Sequence, residues 1–276
     1  MTPGHDKSAL ELAAYDLLTF YAEAGVDAVL GDEPVDRFAD LDLMPAAQPD
    51  VPKQAAAVAR EQRANPPVPS IQAPPPPDEA IMAARAAAQS AASLDELRAV
   101  MNAFEGCALR TTARQLVFGD GSPDARLMFV GEAPGSEEDQ KGIPFVGRSG
   151  QLLDRMLAAI GVARSDVYIA NIVPWRPPGN RDPSIHESQT CLPFIQRQIE
   201  LVDPDVIVCL GKPSTATLLG VTDGIRRTRG RWFTYDTGKR EIRATATFHP
   251  AYLLRTPIEK RFAWRDFMSI RKALQQ

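Results

Sequence analysis

Cysteine and histidine are both scarce, with three of each in 276 residues. Three thiols, Cys107, Cys191 and Cys209, cannot pair into an even framework. That excludes a disulfide-stapled secreted scaffold and fits a reducing compartment. Of the histidines, His5 falls in a terminus expected to be disordered and His186 in the first turn of a helix, so neither is given a role; His249 remains. No apolar run approaches the roughly 20 residues that cross a bilayer, and the N-terminus lacks the basic-then-apolar pattern of a secretory signal. These absences predict a cytoplasmic protein. Basic charge is short as well: the net charge of −4 at first argues against a polyanionic partner.

What is present is unevenly distributed. Residues 1–79 hold 14 acidic and 5 basic side chains, a balance of −9, whereas residues 80–276 hold 21 acidic and 26 basic, a balance of +5. The densest basic cluster is "RRTRGR" at 226–231. Alone it would be a solvated turn; beside the motifs below, Arg227 and Arg229 are expected to meet phosphates. Residues 45–78 are dominated by Pro, Ala and Gln, a composition that cannot bury enough apolar surface to fold, and are expected to form a disordered linker. Within residues 1–44, Leu10, Leu12, Leu17, Leu18, Phe20 and Tyr21 recur at near-helical spacing. One amphipathic helix is expected there, and its apolar face must dock on the main domain or bind a protein partner. No coiled-coil pattern appears, so a monomer is expected. Residues 79–276 are expected to form the main domain. They open on an Ala-rich helix interrupted near Ser93, where "SLDE" reads as a capping box.

From residue 125 onward strands alternate with helices: "ARLMFVG" then "GQLLDRMLAAIG", "DVYIANIV" then "SIHESQTCLPFIQRQIELV", "DVIVCLG" then "PSTATLLG", "EIRATATF" then "PIEKRFAWRDFMSIRKAL". That order predicts an α/β fold, a four-stranded, mostly parallel sheet covered on both faces. Asp182 and Pro183 are expected at the N-cap and first position of the helix after the second strand, and Thr256 and Pro257 at those of the last helix. The segments after the strands, "GEAPGSEED", "NIVPWRPPGNR", "GKPST" and "HPAYLLR", are polar, irregular and proline-bearing. They converge on the carboxyl rim of the sheet, where open α/β folds bind ligands. The first belongs to a long loop, "GEAPGSEEDQKGIPFVGRSG" at 131–150, whose glycines allow close approach and whose Phe145 offers a flat apolar face.

These motifs, in this order between about residues 107 and 256, resemble the uracil-DNA glycosylase superfamily, and within it the family 4 bacterial and archaeal enzymes. The resemblance implies a three-layer α/β/α fold and hydrolysis of the N-glycosidic bond of deoxyuridine in DNA, leaving an abasic site. The target nucleotide must then be flipped from the stack into a pocket. Carried over residue by residue, it implies that His249 donates towards the uracil O2, that Phe145 stacks on the flipped base and that the Asn171 amide reads the uracil edge. Ala133 and Gly135 of "GEAPG" are expected to line the uracil pocket, with Glu132 shaping it. Ala133 stands where other members keep a water-activating aspartate, and Glu138 matches the family's candidate for positioning water. Leu253 or Leu254 is expected to fill the gap in the stack, with Arg255 near a phosphate.

The chain departs from the family at one place. Family 4 members usually carry four cysteines that ligate a [4Fe-4S] cluster. Cys107 and Cys191 match the second and fourth, whereas Phe104 and Trp175 occupy the first and third. Two thiolates do not hold a cubane in the usual way, so no metal cofactor is expected and the two large apolar side chains are expected to fill the volume. Cys209 reads as a small buried strand residue. Two alternatives stay open: a glycosylase whose main substrate is hypoxanthine or xanthine, should Pro174 and Trp175 alter the pocket wall, and a non-catalytic DNA-damage binder on the same fold.

Overall fold

A computed structural model describes residues 77–275. The expected N-terminal helix and nearly all of the 45–78 linker lie outside the described residues. Helix α1 (Pro77–Ser90) already begins within the expected linker. Its buried Ala80, Ala84 and Ala88 recur every fourth residue, a stripe that lets the backbone pack closely on α6 (Ile185–Val202). Ser93 caps α2 (Leu94–Ala103), accepting from the Glu96 N–H at 3.2 Å. A one-turn helix α3 (Leu109–Thr112) follows.

The sheet order is β1-β3-β2-β4-β6-β5. Its centre is the expected parallel set: β2 (Leu127–Gly131), β3 (Tyr168–Asn171), β4 (Val206–Leu210) and β6 (Glu241–Thr247). The sheet nevertheless has six strands, not four. The two-residue β1 (Asp120–Gly121) pairs antiparallel with β3, and β5 (Trp232–Asp236) pairs antiparallel with β6. Both are edges. β5 alternates exposed and half-buried residues and so carries no continuous apolar run; β1 is too short to show any periodicity.

The central strands are buried on both faces, and alternate residues divide between two cores. Met128, Val130, Ala170, Ile207 and Cys209 meet Leu97 and Met101 of α2 and Phe194, Ile195 and Ile199 of α6. Leu127, Phe129, Ile169, Val206 and Val208 meet Leu153 and Leu157 of α5 (Arg148–Ala159) and Phe267 and Ile270 of α10 (Lys260–Leu274). Helix, sheet and helix thus form three layers. The N-cap of α6 is Ser184, not Asp182: Glu187 N–H donates to Ser184 Oγ and Ser184 N–H to Glu187 Oε2, a reciprocal box that overrides the weaker Asp-Pro signal. Thr256 precedes a single 3-10 turn, Pro257–Glu259, which leads into α10.

Candidate active site

The carboxyl ends of the four parallel strands border a cavity of about 620 Å³, within the size range of small-molecule sites. Its lining includes Glu132, Ala133, Gly135, Phe145, Asn171 and His249. The 131–150 segment is not one loop. Residues Ser136–Lys141 form a short helix, α4, between Gly135 and the left-handed Gly142.

Gly131 ends β2 beside Asn171, which ends β3. A Cβ on Gly131 would come within 2.4 Å of Asn171 Oδ1 and 2.7 Å of the Phe145 ring, so only glycine lets both side chains close over the strand ends. Asn171 is 4% exposed, and its Oδ1 is buried with no partner among the described residues. An acceptor left in that state costs about 1–3 kcal/mol, which a ligand donor would recover.

Phe145 is buried and holds a φ of 52°, a left-handed conformation that costs a side-chain-bearing residue about 1–3 kcal/mol and persists only where surroundings enforce it. Its ring centroid lies 5.5 Å from that of His249. His249 caps α9 (Pro250–Arg255): its Nδ1 accepts from the Ala251 N–H at 3.1 Å. In the neutral ring the proton therefore sits on Nε2, a free donor. Burial, reinforced by Arg255 and opposed by Glu138, pushes its pKa down to about 4, so the ring is neutral at physiological pH.

The two glutamates differ. Glu138 is buried, and its carboxylate accepts from Gly135 N–H at 3.1 Å, Val146 N–H at 3.0 Å and Gly147 N–H at 2.9 Å. It ties α4 to the loop carrying Phe145 with three of a carboxylate's roughly four acceptor positions, and it also lines the cavity. Glu132 is half-buried, with no hydrogen bond to its carboxyl among the described residues, and burial followed by Asp182 pushes its pKa up to about 7.

Several sequence expectations about the outer rim change. Leu253 is fully buried with Phe248 and Ala263, so it cannot reach into a DNA stack; Leu254, the next residue, is half-buried. Arg229 is largely buried in an ion pair with Asp266, donates to the Phe262 carbonyl, and is therefore not free for phosphates. Thr247 Oγ1 donates to the same carboxylate at 2.7 Å. Arg227 is exposed, and Arg255 is exposed on the cavity rim. Lys212, directly after β4, also lines the cavity and is exposed; its place in the rim segment "GKPST" was the only signal for it. Arg181 and Asp182 complete that side.

Phe104 and Trp175 lie away from this cavity. Trp175 is 2% exposed in the α6-side core, and neither it nor Pro174 lines the pocket, so the expectation that they reshape its wall is corrected. The Phe104 ring meets Phe194 edge-on at 5.0 Å and covers Gly106, where a Cβ would be 2.4 Å from Phe104 Cζ. Cys191 donates its thiol to Cys107 Sγ at 3.8 Å. That bond holds Cys107 below the usual thiol range and Cys191 well above it. No group of three or more potential metal ligands is found among the described residues.

A mostly parallel sheet with flanking helices and a carboxyl-rim pocket holding an unpartnered amide oxygen, an aromatic face and a neutral imidazole defines an α/β enzyme. The chain belongs to the uracil DNA glycosylase superfamily, whose profile matches residues 118–268. It is 39% identical over 182 residues to the Type-4 uracil-DNA glycosylase of Archaeoglobus fulgidus, a match covering 64% of this chain and 92% of that protein. It is 45% identical over 150 residues to the Type-4 uracil-DNA glycosylase of Thermotoga maritima, covering 54% and 77%. With the enzyme of that type from Sulfurisphaera tokodaii it shares 38% over 185 residues, covering 65% and 84%.

Proposed function

We propose that this protein excises uracil from DNA in base excision repair, acting as a monofunctional hydrolase. The observation that carries the reading is the buried, unpartnered Oδ1 of Asn171, set in one cavity with the Phe145 ring and the neutral His249. Uracil offers an N3–H donor beside an O4 acceptor. Asn171 Oδ1 accepts from N3–H and its amide nitrogen donates to O4, a pattern that cytosine reverses. The flipped base stacks on Phe145. As the bond between C1′ and N1 breaks, its electron pair moves into the uracil ring and charge grows on O2. His249 donates from Nε2 to that oxygen, a fixed dipole aimed at developing charge. A neutral imidazole suits this task because it stabilises the anion without a proton exchange with solvent. Water then adds its hydroxyl to C1′ and its remaining proton balances the uracil anion.

Glu132, free and half-buried at the cavity, is the better-placed carboxylate for the attacking water, while Glu138 builds the loop. Leu254 fills the vacated stack, and Arg255, Arg227 and Lys212 contact phosphates. The residues at the family's cluster positions do not fit a [4Fe-4S] centre: two of four thiolates are missing and aromatic packing occupies their places. We therefore assign the protein no metal cofactor. It acts as a cytoplasmic monomer, with residues 1–44 available to a protein partner. Among the described residues no helix is long and apolar enough to cross a membrane.

Incubation with oligonucleotides carrying a single uracil, hypoxanthine or xanthine, followed by alkaline cleavage of abasic sites, tests the assignment. Strand scission confined to the uracil substrate is expected. Faster scission at hypoxanthine or xanthine would overturn the substrate, and none at all would make the chain a binder.

A further inference from the structure

Phe145 occupies a strained conformation, and something must hold it there. The residue that does so lies 19 residues further along the chain, beyond α5. Arg164 sits in the 3-10 turn leading into β3, and its largely buried guanidinium makes four hydrogen bonds. Two go to consecutive backbone carbonyls of the site loop, Pro144 O at 2.7 Å and Phe145 O at 3.0 Å. The other two fix the guanidinium itself, to Asp120 of β1 at 2.7 Å and Asp154 of α5 at 2.9 Å. Gly150 completes the clamp: a Cβ there would lie 1.8 Å from the Phe145 carbonyl oxygen, so α5 packs directly on the peptide that Arg164 holds.

We propose that Arg164 is a positioning residue for base stacking, clamping the peptides on either side of the Phe145 Cα so that the ring stays against Gly131 and faces His249. The inference rests on the reading of Phe145 as the stacking face. The physical argument is directional. A planar fork with several fixed donors holds two carbonyls and two carboxylates at once, whereas an ammonium of equal charge has neither the plane nor the reach. Relaxation of Phe145 out of its left-handed well would swing its Cα–Cβ bond and carry the ring away from the strand ends. Arg164 touches no reacting atom, so its loss acts only through the ring.

The test is a double-mutant cycle read by single-turnover excision on a uracil oligonucleotide, comparing wild type, Arg164→Lys, Phe145→Ala and the double variant. Misplacing a positioning group costs about tenfold to a hundredfold in rate, and that loss is expected for Arg164→Lys. Affinity for DNA carrying a tetrahydrofuran abasic analogue, which has no base to stack, should change less than about twofold, while inhibition by free uracil weakens. In the Phe145→Ala background Arg164→Lys should cost less than about twofold, because residues acting as one unit are not additive. Thermal unfolding checks that each variant is folded. Should Arg164→Lys fail to fold, Asp154→Asn loosens the same guanidinium and is expected to lose several-fold, again only when Phe145 is present. Losses that multiply in the double variant, or an Arg164→Lys rate within twofold of wild type, would overturn the assignment of Arg164. A Phe145→Ala variant at wild-type rate would instead remove the stacking role itself, and with it the proposal.

Discussion

Two regions of the same domain handle polarity and strain in opposite ways. At the carboxyl rim, Asn171 keeps a buried oxygen unpaired, Phe145 holds a positive φ, and Glu132 lies half-buried with its pKa raised. Under α6, Phe104 and Phe194 meet edge to face in the core that also buries Trp175, and the two thiols there bond to each other. At the rim the unpaired amide oxygen, the strained aromatic and the raised carboxylate share one cavity that a ligand can fill, whereas under α6 the aromatic and thiol contacts are closed, and the unpartnered Thr190 and Tyr168 hydroxyls there sit apart from that cavity. A buried polar atom left wanting a partner points to binding where, as at Asn171, an aromatic face and an imidazole share its cavity.

The largest effect that could break this contrast is at Asn171. Replacing it with Asp removes the donor to O4 and presents an acceptor to N3–H that is charged above its pKa. Two lost or mismatched bonds at about 1–3 kcal/mol each predict a loss of uracil excision of roughly 30-fold to 10⁴-fold, with weak cytosine excision gained. Single-turnover cleavage of matched uracil and cytosine oligonucleotides measures both, and near-normal uracil rates would place the pocket elsewhere.

In the packed region, Trp175→Ala should lower stability by about 3–5 kcal/mol through the cavity it leaves, while excision well below the melting temperature stays near wild type. Denaturant unfolding and rate are measured on the same sample. The pair Phe104→Cys with Trp175→Cys sharpens the point: anaerobic reconstitution should load that variant with iron while wild type stays colourless. Iron in purified wild type at about four per chain, the cubane stoichiometry, would sink the packing account.

His249→Ala should reduce kcat by about a hundredfold, the usual consequence of losing one donor to a developing anion. Because the folded pKa is near 4 and the ordinary value is 6.5, the ring stays neutral as pH falls through 6.5. The ratio of wild-type to variant rates should therefore be constant from pH 8 to about 5. A change in that ratio centred near 6.5 would mean that the charged imidazole is the working form.

Smaller shifts are expected at Glu132 and Arg227. The folded pKa of Glu132 lies near 7 against an ordinary 4.5, so the folded state pays for its charge fully above pH 7 and not at all below 4.5. Glu132→Gln should melt above wild type at pH 8, and the gap should close as pH falls towards 4.5. Arg227→Ala should reduce the slope of log affinity against log salt by about 0.9, the contribution of one phosphate. Arg229→Ala should instead destabilise the fold by leaving Asp266 buried without its guanidinium. Equal salt slopes for wild type and Arg227→Ala would return that side chain to solvent.

Residues with a period or a fixed motif were legible in the sequence: the four parallel strands, the helices between them, and the strand-end positions of Asn171 and His249. Apolar runs and strand-to-loop changes are local signals, readable one segment at a time. Phe104 and Trp175 at two cluster positions were equally legible, since side-chain chemistry alone rules on thiolate ligands. Tertiary structure alone decided the rest. Leu253 and Leu254 are adjacent and alike in sequence, and only the packing of α9 on Phe248 and Ala263 buries the first. Arg227 and Arg229 read as one basic run until Asp266, from a helix 37 residues on, claims the second. The edge strands needed partners before they had any pattern. Arg164 carries no motif, and its role depends on four acceptors from three separate segments, β1, the site loop and α5, meeting one guanidinium. Such convergence is a property of three-dimensional closure, because each of its parts is ordinary within its own stretch of chain.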